Sequence, residues 1–113
     1  MTLHDNRTLS ALGPRAVRYR IDEAARTARF VEQVTDPEVK SSICCGGARR
    51  LPGGNWVASW GFNPVVEELS PTGKVLFKLG FGDNLFSYRA VPVRARELSL
   101  RALRAGMDAM HRG

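Results

Sequence analysis

The sequence predicts an all-β chain: a fragment of a β-propeller, about one and a half four-stranded antiparallel blades, followed by a C-terminal α-helix. Three observations predict it. Apolar residues alternate with polar ones from Arg15 to Leu79, glycine and proline mark short turns between the alternating runs, and two of these runs share one shape 49 residues apart, counted from Ala16 to Val65. Period two is the signature of half-buried strands. Four strands in a repeat of about 40–50 residues is the period of propeller blades.

The elements follow in order. In "AVRYRI", Val17, Tyr19 and Ile21 share one face, with Arg18 and Arg20 on the other. "TARFVEQV" groups Ala28, Phe30 and Val34. The short polar link "DEAAR" joins the two runs as an antiparallel hairpin. "GGARRL" is the next strand, and "PGG" reverses the chain, because Gly53 and Gly54 accept positive φ without steric cost. "NWVASWG" returns with Trp56, Ala58 and Trp60 on one face. "PVVEEL" follows, then "SPTG", with Pro71 and Gly73 at the second and fourth positions of a type I turn. "KVLFKL" completes the set, with Val75, Phe77 and Leu79 expected together. A partial blade is thus assigned to residues 1–37, a complete one to 46–81, and a closing strand to 86–93, making 1–93 the partial propeller. Leu100, Leu103, Met107 and Met110 recur at helical spacing after the N-cap candidate Ser99. This assigns a helix to 98–112, expected to dock on the β part.

Bulk properties narrow the function classes. The chain has 113 residues and a net charge of +6, carried mostly by arginine. A basic balance suits nucleic acid, but the arginines are scattered and no aromatic interleaves with a basic run. A small basic nucleic-acid-binding protein therefore ranks third. No apolar run approaches the roughly 20 residues that span a bilayer, and the opening lacks the apolar region of a secretory signal. The chain as written reads as cytoplasmic, and no membrane partner is expected.

Cys44 and Cys45 are adjacent. Zinc ligands are spaced and usually number four, and redox pairs usually read C-x-x-C. A disulfide between neighbours is strained, since their Cα atoms lie about 3.8 Å apart. The favoured reading is two small apolar residues leading into a buried strand, as free thiols without metal. The glycines of "CCGGARRLPGG" do not make a phosphate loop, which requires a following helix. His4 stands beside Asp5, but neighbouring strand residues point to opposite faces, so "HDN" reads as a turn at a strand end. His111 reads as solvated. Arg89, between Tyr88 and Ala90 in an apolar run, either pairs with a buried carboxylate or faces an anion-binding cavity. Arg89 and Tyr88 are the candidate anion- or substrate-binding residues. No catalytic residue, metal site or cofactor is predicted.

"CCGGARRLPGGNWVASWG", "PVVEELSPTGKVLFKL" and "FSYRAVPV" resemble the C-terminal blades of the arylsulfotransferase family, in its actinobacterial and fungal branch. "DNRT" with "PRAVRYRIDEAARTARFVEQVTDP" resembles the preceding blade. The resemblance implies a β-propeller whose complete form moves a sulfuryl group from a phenolic sulfate ester to a phenol through a channel histidine. A related blade motif reads H-D-A-R-R-L-P-N-G-N. Against it, "GGARRLPGGN" has Gly46 in the histidine's place, so no catalytic histidine carries over. The resemblance implies an isolated chain that is inactive, with the remaining blades or further copies of itself as partners. A non-catalytic propeller-type interaction module is the second reading.

Overall fold

The computed structural model describes residues 1–82 and 85–111. The described residues are mostly β, in two antiparallel sheets followed by one short helix. Sheet A holds β1 (Thr2–Asp5), β2 (Arg15–Asp22) and β3 (Thr27–Val34), in the order β1-β2-β3. Sheet B is a meander of β4 (Gly47–Arg50), β5 (Trp56–Ser59), β6 (Val65–Leu69) and β7 (Val75–Gly80). The helix α1 spans Leu100–Met110.

The turns of sheet B close as their sequences require. Leu51 N–H donates to Asn55 O at 2.7 Å, and Gly54, at φ +95°, takes the left-handed position. In the next turn Gly73 N–H donates to Ser70 O at 3.0 Å, with Gly73 at φ +84°. The Ser70 hydroxyl also accepts from the Thr72 and Lys74 amides.

The two sheets pack face to face. Trp56, Ala58 and Trp60 of the β5 region, Leu69 of β6 and Ala16 of sheet A are fully buried, with Val34 of sheet A buried beside them. Trp56, Ala58 and Trp60 therefore share the expected face. Fully burying a large apolar side chain is worth roughly 1.5–3 kcal/mol, so this interface holds most of the apolar stabilisation.

Two β-bulges alter the faces that strict alternation gives. On β7 the ladder runs Glu68↔Phe77 and then Leu69↔Val75, leaving Leu76 without a partner. Val75 consequently keeps the core face, while Phe77 and Leu79 turn to the opposite side and are exposed. Lys78, opposite Glu67, takes the core side instead. On β3 the ladder skips Val31, so Phe30 falls opposite Tyr19 while Val34 falls opposite Ala16. Val34 is buried on the face toward sheet B, and Phe30 stands exposed on the other, edge-on to Tyr19. An extra residue in one strand reverses the side-chain alternation beyond it.

The expected closing strand over 86–93 is absent: these residues form no ladder. They lie over the far side of β5 and the lead-in to β4. The Ser59 hydroxyl donates to Ser87, and the Gly46 amide donates to Tyr88 O at 3.1 Å. Pro92 has no amide to donate, and the single amide–carbonyl bond at Tyr88 is too little for a ladder. The helix is capped as read, with the Ser99 hydroxyl accepting the Ala102 amide at 3.1 Å. It does not dock: none of its residues is buried, and Leu100, Leu103, Met107 and Met110 are exposed. Arg112, at the end of the expected span, lies outside the described residues. No described helix is long and apolar enough to cross a membrane.

Trp56→Ala should cost about 3–5 kcal/mol, because a fully buried indole would leave a cavity between the sheets. Urea denaturation followed by circular dichroism measures this. A loss under about 1 kcal/mol would mean that the sheets do not pack as described.

A groove between the two sheets as candidate functional site

The chemistry-bearing residues meet where β1 runs beside β4. Antiparallel pairing puts Leu3 opposite Val17 and His4 opposite Ala16, so Thr2 and His4 share the face of Ala16 that meets sheet B. The Thr2 hydroxyl donates to Ala48 O at 3.3 Å. The His4 ring is half-buried, stands 5.7 Å from the Trp60 ring, and has Nδ1 3.0 Å from Cys45 O. A carbonyl only accepts, so Nδ1 carries the proton and Nε2 keeps its lone pair. Nε2 is buried with no partner among the described residues.

His4 is therefore an inward-facing strand residue, where a turn at a strand end was expected. Asp5 does not orient it. That carboxylate accepts from Arg15 Nε at 2.8 Å and from the Arg7 amide. Burial pushes the Asp5 carboxyl up, but the hydrogen bonds and charges of Arg15 and Arg7 outweigh it and hold the group below its usual range. Burial lowers the His4 pKa, against smaller upward pulls from the Cys45 carbonyl and the Asp5 charge.

Thr2, His4, Gly46, Gly47, Arg49 and Arg89 line a groove of about 210 Å³. The glycines make it possible. Gly46 has φ +97°, and a Cβ there would collide with the His4 ring. A Cβ on Gly47 would come within 3.3 Å of Arg89 Cγ. Arg89 is exposed at the groove rim, not within a strand, and no described carboxylate lies within ion-pair distance of it or of Arg49. Tyr88 is not in the wall. Its ring centroid is 6.0 Å from the Arg89 guanidinium, and it contributes its backbone carbonyl to Gly46. A larger hollow of about 610 Å³ lies between Leu51–Gly53 and Val91–Arg94. Its walls combine Arg49, Arg50 and Arg94 with aliphatic residues, whereas the smaller groove sets two guanidiniums beside a hydroxyl, an imidazole and bare backbone.

Cys44 and Cys45 are free thiols in the lead-in to β4, with the Cys45 thiol donating to Cys44 Sγ at 2.7 Å. Among the described residues no group of three or more His, Cys, Asp or Glu could hold a metal ion. A second polar cluster sits inside the interface. The Trp60 indole donates to Glu67 Oε2 at 2.6 Å, and Lys78 Nζ lies 3.0 Å from Glu67 Oε1, 2.8 Å from Glu38 and 3.6 Å from Asp36. The Lys78 contacts to Glu67 and Asp36 are close ion pairs without aligned hydrogen bonds. This cluster and the placement of His4 were not legible in the sequence, since both depend on contacts between sheets.

No family model matches the chain, and no curated protein or solved structure matches it.

The His4 environment has a pH consequence. The ring titrates near 6.5 when unfolded and lower when folded. The unfolded chain then binds more protons in that window, so the His4 contribution is complete above 6.5 and is lost as pH falls through the folded value. His4→Gln should flatten the fall in denaturation midpoint just below pH 6.5. Identical midpoint–pH curves for the two proteins would contradict the buried neutral ring.

Proposed function

We propose that the chain supplies one complete blade and part of the adjoining one of an arylsulfotransferase-like β-propeller, and that the groove between β1 and β4 is its oxyanion-binding part. The sheet arrangement supports this reading. A four-stranded meander packs through two buried tryptophans on a three-stranded sheet that, like the meander, ends in an antiparallel hairpin. The single observation that carries the anion assignment is Arg89, with Arg49, held beside glycine backbone without a described carboxylate. A guanidinium fork matches sulfate oxygens two at a time.

In this reading the sulfuryl-transfer chemistry belongs to the complete ring. Transfer needs a nucleophile and anion-stabilising donors in one place. The isolated chain binds the sulfate ester without turning it over, and its partners are the remaining blades or further copies of itself. The alternative, a non-catalytic interaction module, draws support from Gly46, which stands where the resemblance would place a histidine.

Adding 4-nitrophenyl sulfate to ¹⁵N-labelled chain should shift the amides of Gly46, Gly47 and Arg89. Arg89→Ala should weaken binding about tenfold or more, the loss of a charge-assisted bond worth roughly 1.5–3 kcal/mol. No turnover with a phenol acceptor is expected. Groove resonances that do not move, or binding indifferent to Arg89→Ala, would overturn the anion assignment. Turnover abolished by His4→Ala would place the chemistry on His4 in this chain.

A further inference from the structure

We propose that Cys44 and Cys45 form a modification site closed by low-molecular-weight disulfides, and that closure shifts the contacts by which this turn holds His4 and Tyr88. The two sulfurs already touch, with the Cys45 thiol donating to Cys44 Sγ at 2.7 Å. Both residues are half-buried and neither belongs to the apolar core cluster, so a small reagent can reach them.

The local backbone is unusual for this pair. Cys45 has φ +61° and Gly46 φ +97°, two consecutive left-handed residues of which the first has a side chain. Such a conformation stores strain in a residue other than glycine. Adjacent Cα atoms are about 3.8 Å apart, short of the ordinary disulfide range of about 4.4–6.8 Å. A disulfide formed here is therefore strained and readily reduced, the labile kind that responds to its surroundings.

The exchange balances in two steps. Cys44, the acceptor of the thiol–thiol bond, loses its proton to solvent and attacks one sulfur of a disulfide such as oxidised glutathione. An S–S bond forms to Cys44, and one glutathione thiolate leaves. Cys45 then gives up its proton and attacks the Cys44 sulfur, expelling the second glutathione. The two cysteines are oxidised by two electrons in total, one glutathione disulfide is reduced, and two glutathione thiols are released once the leaving thiolates take up protons.

The turn is tied to its surroundings at the same peptides. Cys45 O accepts from His4 Nδ1 at 3.0 Å, and the Gly46 amide donates to Tyr88 O at 3.1 Å. Cys44 O accepts from the Ser42 hydroxyl at 3.2 Å and packs directly on Gly61. Rotation of the Cys44–Gly46 peptides on ring closure acts directly on these bonded groups. It must move the His4 ring and the Tyr88 segment, which together flank the groove. The proposal concerns the turn and its contacts, and it stands whether or not the groove binds sulfate esters.

The test treats the reduced full chain with oxidised glutathione and reads intact mass together with the NMR resonances of the Gly46 amide and the His4 ring. The expected product has lost two hydrogen atoms and carries no glutathione. Its Gly46 and His4 resonances are displaced, and dithiothreitol restores them. Cys44→Ser and Cys45→Ser should each stop at one glutathione per chain. Phenylarsine oxide, which bridges two thiols with release of water, should attach once to the wild-type chain and survive washing with a monothiol. Glutathione that stays attached without closure would overturn the proposal. So would a closed disulfide that leaves Gly46 and His4 unmoved. The wild-type arms decide this even if a serine variant fails to fold.

Discussion

The two sheets are joined around one buried carboxylate. Glu67 is fully buried in the middle of β6, and a carboxylate in such a place must be paired and hydrogen-bonded. The Trp60 indole satisfies one oxygen and Lys78, directly across on β7, neutralises the other. Asp36, just beyond the last strand of sheet A, is also buried and completes the group. Burial pushes the Glu67 carboxyl up, and the nearby Asp36 adds to it, while Trp60 and Lys78 pull the other way. The Lys78 hydrogen bond to Glu38 first, and then its close pairing with Glu67, raise the Lys78 pKa. Trp60 thus has two tasks: its ring fills the apolar interface beside His4, and its N–H anchors the charge cluster. Glu32 adds a second tie, accepting a hydrogen bond from Arg18 of its own sheet and forming a close ion pair with Arg50 of the other.

The same constraint explains why the groove exists. With Trp60 fixed by Glu67, the His4 ring has one place to lie, against Trp60 and the Cys45–Gly46 peptide. A side chain at position 46 would fill that place. The β1 strand is held to β4 by Thr2 and His4 rather than by a backbone ladder. Between the two strands the bare glycine backbone remains, with Arg49 and Arg89 at its border.

Much of this was legible in the sequence, for physical reasons that also set the limit. All four strands of sheet B, its two outer turns and the helix cap are local: they follow from alternation, from glycine at positive φ and from a serine before the helix. The faces of β3 and β7 were not legible beyond their bulges. Alternation assigns Phe77 inward, yet one unpaired residue, Leu76, sends Lys78 there instead, to meet a carboxylate ten residues or more away. The helix stripe predicted docking because amphipathic helices usually cover something, but no helix residue is buried against any described part of the chain. Arg89 stood out in the sequence as an unusual charge, whereas its setting was not legible. It stands on a draped segment rather than in a strand, and its neighbour His4 comes from the other end of the chain.

If Glu67 is the pivot of one packed unit, the two sheets must lose protection together when it is removed. Hydrogen exchange of the Glu67→Ala variant measures this most directly. The account predicts faster exchange in β2 and β3 of sheet A as well as in β5 and β6 of sheet B. Faster exchange confined to sheet B, with β2 and β3 protected as in the parent protein, would contradict it and show two sheets that fold independently.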